Sequence, residues 1–200
     1  NIKDVDIEHI LNHIDNYPAI KGIINNVGAV KTAIGSLGQA AGQKRRAGRI
    51  LFAANAVAYV NALKNAYAKC VNISQNANEL NIHIFAGLCG GTGSGSIVDA
   101  IVQARKAFPD ANIAVYAMIP EMNLPHANMD QGRYYQNGYA ALNELNGLQA
   151  GRFIPHDVTG AGREAKLFTD RKKGVADGLT LYSNVNENGL TINSLTELPK

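Results

Sequence analysis

The sequence predicts an α/β fold, because residues 81–120 follow the order strand, glycine loop, helix, strand. Residues 82–88 are apolar and β-branched, as in a buried strand, and a glycine cluster follows them directly. Residues 96–108 then carry apolar side chains at helical spacing, and residues 112–119 form a second apolar run that Pro120 ends. This order is a βαβ unit, in which the two strands are parallel.

The glycine cluster has the composition of a phosphate-binding loop. Glycines lack a Cβ, so neighbouring N–H groups can turn towards one anion, and the free N–H groups of a helix N-terminus favour negative charge. Hydroxyls in the loop can donate to phosphate oxygens or cap the helix. The alternative is a flexible turn in which Ser94 or Ser96 is an ordinary N-cap, but the flanking strand and helix favour phosphate. The candidate phosphate-binding residues are Gly90, Gly91, Thr92, Gly93, Ser94 and Gly95.

Two kinds of phosphate loop can be compared with this one. A Walker loop is excluded, because no Lys follows the glycines in a GK[ST] arrangement. A Rossmann dinucleotide site, which would bind NAD, fits better: Gly91 and Gly93 match its first two glycines, and Glu121 stands where a ribose-binding acid belongs. Ser96 replaces the third glycine of that fingerprint, so this reading remains the alternative.

Length and composition suit one soluble globular domain. The 200 residues are 46% apolar and 18% charged, and the net charge is +3. A charge this small gives no argument for nucleic acid or an anionic membrane as a partner. No apolar run reaches the length of a membrane span, and no signal peptide opens the chain.

The two cysteines, Cys70 and Cys89, suggest neither a disulfide scaffold nor a metal site. We therefore expect buried, inert thiols, no metal ligand set and a cytoplasmic location. Because the chain starts at Asn1 without a Met and ends at Lys200 within an apparent element, we expect residues 1–200 to be a single domain of a longer protein.

The residues before the glycine cluster predict two helices and a second glycine loop. Residues 4–16 are amphipathic, as in a helix, whereas residues 20–34 are apolar but broken by glycines and predict no definite type. The second loop, residues 35–43, leads into a basic run and a long alanine-rich helix over residues 47–69. The basic run is either a solvated face or a group that closes over a terminal phosphate. The predicted core positions of the long helix are Leu51, Ala54, Val57, Ala58 and Tyr67.

The residues after the second strand predict one helix and one strand. Residues 152–178 are turn-rich and charged, which is typical of an insertion or a mobile loop, and residues 179–183 predict a third strand. The amide side chains of Asn184 and Asn186 follow it; they are explained equally well by a turn and by a ligand at the carboxyl end of a strand. The predicted helix covers residues 131–148, with Tyr135, Tyr139, Leu142, Leu145 and Leu148 at helical spacing.

Residues 85–96, FAGLCGGTGSGS, resemble the tubulin/FtsZ signature, GGGTGSG in its usual form, on the expected strand and helix. Bacterial tubulin-like proteins are the most similar subgroup. They share a GAGQ-R-x-GR element, an NGYAAL-x-EL helix and a late strand ending in Asn, found here over residues 41–49, 137–145 and 182–186. The resemblance covers most of the chain from about residue 35 onward.

The resemblance implies a GTP-binding or GDP-binding, Mg²⁺-dependent domain with a doubly wound, mostly parallel sheet and helices on both faces. It places the phosphates on residues 90–95, and ribose and phosphate contacts on Asp130 and Arg133. Asn184, or otherwise Asn186, would read the guanine base. The loop beside the γ-phosphate would be Gly38, Gln39, Ala40, Ala41 and Gly42.

The resemblance also implies self-association into filaments, in which a neighbouring subunit completes GTP hydrolysis. The acidic loop that would activate water is absent from this chain, so no catalytic residue is predicted here. Two further departures from the pattern are Cys89 in place of the first glycine and the lack of a first strand with its own glycine loop. A structural module that has lost its nucleotide is the remaining alternative.

Overall fold

A computed structural model describes residues 7–34, 43–74, 79–119, 131–153, 155–159, 174–186 and 188–191. Helices both precede and follow the βαβ unit in the sequence. In order, the elements are α1 (Ile7–Asn12), a 3-10 helix (Ile14–Asn16), α2 (Pro18–Ile23), α3 (Val27–Ile34), α4 (Arg45–Ser74), β1 (Asn81–Gly87), α5 (Thr92–Ala107), β2 (Asn112–Met118), α6 (Gln131–Gln149) and β3 (Gly178–Tyr182).

The three strands form one parallel sheet in the order β1-β2-β3, which confirms the predicted α/β fold. Gly87 pairs with Met118, and Met118 pairs with Tyr182, so the carboxyl ends of all three strands lie at one edge. Ile113 and Val115 are buried on the face that packs on α5. The opposite face carries an aromatic pair, Phe85 and Tyr116, whose stacked rings lie 4.6 Å apart.

Two hydrophobic clusters meet at α5. The larger one joins the sheet, α5 and α6, and the other joins α1, α2, α3 and α4. Helix α5 contributes Ile97, Ile101 and Val102 to the first cluster and Ala100 to the second. The helix that follows the glycine loop is therefore held from two sides, which fixes the position of its N-terminus.

Helix α4 packs on α5 through a different face from the predicted one. Its buried residues include Ala47, Ile50, Ala53 and Ala56, whereas the predicted core residue Val57 is 63% exposed. Ala54 and Ala58 are also exposed, and Leu51 and Tyr67 are half-buried. The prediction was wrong because a helix rich in alanine shows little contrast between its faces.

Helix α6 agrees better with its predicted pattern. Leu145 and Leu148 are buried, and Tyr135 and Leu142 are half-buried against the same cluster. Tyr139 was wrongly placed in the core, since it is 71% exposed.

The N-terminal part is helical, but its first helix is shorter than predicted. The helix expected over residues 4–16 ends at Asn12, because His13 leaves helical geometry (φ −119°, ψ 38°) and a 3-10 turn follows. Residues 20–34, for which the sequence predicted no definite secondary structure, lie in α2 and α3. Helix α2 begins at Pro18, and the Asn26 side chain caps the first turn of α3. The Asn26 Oδ1 accepts a hydrogen bond of 2.9 Å from the amide of Ala29.

Both ends of the stretch 152–178 pack on the domain. Asp157, 2% exposed, accepts hydrogen bonds from Gln103 (2.8 Å), Lys106 (2.6 Å) and the amide of Thr159 (2.9 Å). At the other end, the buried Arg105 donates to the carbonyl of Val175 at 2.9 Å. Residues 160–173 lie outside the described part.

None of the helices in the described ranges has the length and apolar content needed to cross a membrane.

Candidate functional site

The glycine cluster lies at the edge where the parallel strands end, and most of it is helical. Helix α5 begins at Thr92, four residues earlier than the predicted start at Ser96. Gly93 and Gly95 therefore belong to the first turn of the helix and not to the loop. Gly91 is the N-cap residue and already has helical dihedrals (φ −81°, ψ −45°).

The N-terminus of α5 presents backbone N–H groups to this edge. The amide of Gly95 donates to the carbonyl of Gly91 at 3.1 Å, which is the first hydrogen bond of the helix. The amides of residues 91–94 precede that bond and have no acceptor within the helix. Helix α5 runs for 16 residues behind them, so its dipole adds to the attraction for an anion.

Gly90 lies beside open space. A Cβ placed on it would meet no atom of the described residues within 4 Å. Among the described residues, the backbone here is therefore open to close approach, as a phosphate-binding loop requires. Thr92, two residues further on, is exposed.

The other glycines of the motif have a packing role. A Cβ on Gly93 would lie 2.4 Å from the carbonyl oxygen of Gly87 in β1, and one on Gly95 would lie 2.2 Å from the carbonyl oxygen of Arg45 in α4. Gly48 of α4 completes the contact, since its Cβ would lie 2.0 Å from the Gly91 oxygen. Glycine at these positions lets α5 touch β1 and α4 backbone to backbone.

Ser94 is tied into the protein by its side chain. It is 1% exposed; its hydroxyl accepts a hydrogen bond from Arg45 Nε (2.8 Å) and donates one to the carbonyl of Asn137 (3.1 Å). Arg45 also forms a bidentate pair with Glu144 of α6. The Ser94 hydroxyl therefore makes internal hydrogen bonds, whereas its backbone amide has no acceptor within the helix.

The side chain of Asn137 forms hydrogen bonds to the backbone of the glycine loop. This residue of α6 is 8% exposed. Its Nδ2 donates to the carbonyls of Gln43 (2.9 Å), Cys89 (3.1 Å) and Gly90 (3.4 Å). One side chain thus joins the start of the phosphate loop to Gln43, two residues before α4. The carbonyls of Cys89 and Gly90 are therefore engaged inside the protein.

A second ion pair joins α4 to α5 one turn further on. Arg49 donates to both carboxylate oxygens of Asp99, at 2.8 and 3.2 Å. Asp99 is 2% exposed, and this burial raises the pKa of its carboxyl, against the opposing effect of Arg49. The pair fixes the angle between the two helices whose N-termini meet at the site.

The other predicted site residues fall into two groups. Asp130, Glu121 and the loop 38–42 lie outside the described residues, so their positions are not assigned. Arg133 is exposed in the first turn of α6.

The two amide residues after β3 differ in their surroundings. Asn184 is half-buried and lies two residues beyond Tyr182, at the same edge of the sheet as the glycine loop. Because β2 separates β3 from β1, the two lie two strand spacings apart, or about 10 Å. Asn186 is exposed, and its Oδ1 accepts hydrogen bonds from the amides of Asn188 (3.0 Å) and Leu190 (2.9 Å). Asn186 therefore holds a turn, whereas Asn184 stands nearer to the strand edge.

Sequence reasoning missed the roles of Asn137, Arg45, Glu144 and Asp99. Asn137 stands among apolar positions of α6, where a buried amide is unusual, and this was the one available signal. The ion pairs join residues 99 and 50 positions apart in the chain, which no local pattern reveals. Within the described ranges, no group of three His, Cys, Asp or Glu residues is placed to hold a metal ion.

A parallel βαβ unit with a helix N-terminus at an open glycine backbone is the architecture of nucleotide-binding α/β proteins. The chain belongs to the tubulin-like family: the family model described as "Tubulin like" matches residues 4–193. This confirms the resemblance drawn from residues 85–96. A search of curated proteins and a search of solved structures gave no match.

Proposed function

We propose that this tubulin-like protein binds guanine nucleotide at the carboxyl edge of its sheet and assembles into filaments that hydrolyse GTP. The observation that carries the proposal is the N-terminus of α5, where the amides of residues 91–94 have no acceptor within the helix and adjoin Gly90, beside which no atom of the described residues lies within 4 Å of an added Cβ. Those groups match what the phosphates of a nucleotide need. The family supports the choice of GTP or GDP over other phosphates.

The base and ribose would extend from the phosphates across the sheet edge. Asn184 lies about 10 Å from the loop, across β2, and its amide can both donate to and accept from guanine. In this proposal Arg133 and Asp130 contact ribose and phosphate at the start of α6. Residues 38–42 lie next to the γ-phosphate, in a loop that leads into Arg45.

Hydrolysis in this proposal needs two subunits. The chain supplies backbone donors that hold the phosphates, and a Mg²⁺ ion bound by those phosphates would offset their charge. The acid that activates water comes from the neighbouring subunit, so GTPase activity rises with assembly. We place such a protein among the bacterial, cytoplasmic members of the family, on the motifs of residues 41–49 and 137–145.

The test of nucleotide choice is a comparison of GTP, ATP and NAD, each with Mg²⁺, by thermal shift and calorimetry. GTP at about 100 times its Kd should stabilise the protein by about 2.7 kcal/mol. A shift with NAD and none with GTP would support the Rossmann alternative. No shift with any of the three would overturn nucleotide binding and leave a nucleotide-free interaction module.

The test of the site is the pair Gly90→Val and Gly178→Val. In the described part of the chain, no atom lies within 4 Å of a Cβ added to either glycine, but Gly90 lies in the loop and Gly178 at the opposite edge, where β3 begins. We expect both variants to fold, and Gly90→Val alone to lower GTP affinity, by about ten-fold or more. Equal GTP affinity in the two variants would remove the loop from the site.

The test of assembly is sedimentation with GTP and with GDP, together with phosphate release at rising protein concentration. Release that grows faster than the protein concentration is the expected result, since each active site would need a second subunit. Release strictly proportional to concentration, with no sedimenting polymer, would contradict shared hydrolysis.

A further inference from the structure

A cavity of about 450 Å³ lies beside α4. Helices α3, α4, α5 and α6 and Phe153 all contribute to its wall. Its volume falls within the range of about 300–1,000 Å³ that is typical of small-molecule sites. Of the phosphate-loop residues 90–95, only Gly95 reaches its described wall, so the cavity is separate from the candidate nucleotide site.

Apolar side chains form about half of the cavity wall. Ile24, Val30, Ile50 and Val98 line it, and the first three belong to the cluster that joins the N-terminal helices to α4. Val30, Ile50 and Val98 come from three separate helices, Ile24 directly follows α2, and all four are held by packing on other residues. The wall is therefore formed before any ligand arrives, which lowers the entropic cost of binding.

The cavity wall carries one more positive side chain than negative ones. Three arginines and two carboxylates line it. Arg45 pairs with Glu144, and Arg49 pairs with Asp99. Arg46 is exposed and makes no ion pair or hydrogen bond with another residue of the described ranges.

The rim beside Arg46 adds neutral polar groups. The exposed Asn25 and Asn26 precede α3 and line the same cavity. Asn26 uses its Oδ1 to cap α3, which leaves its N–H₂ group as a donor. A guanidinium with amide donors next to it suits a carboxylate, which Arg binds through two parallel hydrogen bonds.

We propose that this cavity binds a small organic monoanion, a carboxylate on an apolar body, with the carboxylate at Arg46 and the body against Ile24, Ile50 and Val98. A cation would be repelled by Arg46, and a polyanion would meet only one uncompensated positive charge. A neutral apolar molecule would leave Arg46 unused. This inference does not depend on the proposed nucleotide site.

The probe is octanoate, measured by calorimetry and thermal shift, with octanol as the neutral molecule of equal chain length. We expect octanoate to bind and stabilise the protein, and octanol to bind more weakly by about ten-fold or more. A rigid aromatic carboxylate, 2-naphthoate, tests whether the body needs to be flexible. Absence of binding by both carboxylates would overturn the proposal.

Two substitutions locate the binding site. Arg46→Ala changes an exposed side chain, so the fold should persist, and octanoate affinity should fall to the level of octanol. Ala29→Trp places a large ring at the exposed mouth and should block both molecules. The control is Lys64→Ala, which removes an exposed charge from the same helix about 27 Å along its axis.

The binding results for these variants test whether the carboxylate lies at Arg46 and the apolar body lies in the cavity. Loss of octanoate binding in Arg46→Ala but not in Lys64→Ala supports the carboxylate contact. Equal binding of octanoate by Arg46→Ala and the wild-type protein would overturn it, as would octanoate binding that survives Ala29→Trp. GTP binding should be the same in Ala29→Trp and Lys64→Ala as in the wild-type protein, which separates this test from that of the nucleotide site.

Discussion

Alanine at Gly93 is expected to destabilise the fold and alanine at Gly90 to leave its stability almost unchanged, although the two glycines are three residues apart. A Cβ on Gly93 would lie 2.4 Å from the carbonyl oxygen of Gly87 and 3.3 Å from its nitrogen. Both atoms are backbone of β1, so no flexible side chain can move to make room. A Cβ on Gly90 would have no atom of the structurally described residues within 4 Å.

The size of the effect follows from these distances. At Gly93 the new methyl group is about 1 Å closer to the oxygen than ordinary contact allows, and such overpacking costs about 1–3 kcal/mol. Alanine in a helix is favoured over glycine by up to about 1 kcal/mol, which offsets part of that cost. We therefore expect Gly93→Ala to lower the free energy of unfolding by about 1–2 kcal/mol. Gly90→Ala should change it by less than about 0.5 kcal/mol.

Urea unfolding followed by circular dichroism measures both variants, through the midpoint Cm at constant slope m. In the absence of nucleotide, we expect Gly93→Ala to have a lower Cm than the wild type, and Gly90→Ala to have an unchanged one. A Gly93→Ala protein as stable as the wild type would refute the close contact between α5 and β1. A Gly90→Ala protein as unstable as Gly93→Ala would refute the open space above the loop.

Two further predictions concern buried polar groups. Burial opposes ionisation of Asp157, but hydrogen bonds, above all from Lys106, outweigh it and lower the pKa of its carboxyl to about 2. Because this pKa is below its unfolded value, 3.8, the pair stabilises the fold above about pH 4 and loses about 2 kcal/mol as the pH falls towards 2. Urea midpoints between pH 4.5 and 2.5 should therefore fall less steeply in Asp157→Asn than in the wild type, and parallel falls would contradict the assignment. Asn137→Ala should cost about 2–3 kcal/mol, since it leaves buried carbonyls without their donor, and should also weaken GTP binding by about ten-fold. Asn61→Ala, an exposed amide on α4, is the control, and equal stability of the two variants would show that the loop does not need Asn137.

Local patterns were enough for the parts of the fold that depend on neighbours in the chain. Residues 82–88 and 112–119 alternate or run apolar as buried strands do, and the observed β1 and β2 match them within one residue. Helix α6 and β3 were predicted almost as closely. The start of α5 was missed, because glycines at 93 and 95 read as loop residues when their neighbours are unknown.

The sequence by itself determined the βαβ unit, the glycine loop at its turn and the tubulin-like signature, because each depends on residues that are close in the chain. Only the tertiary structure decided which glycines lie beside open space and which allow elements to touch backbone to backbone. It also decided which face of α4 is buried, and that Arg45 and Arg49 pair with Glu144 and Asp99. The physical reason is that contact between backbones, burial of an alanine and pairing of distant charges depend on how elements meet, which a single stretch of residues does not specify.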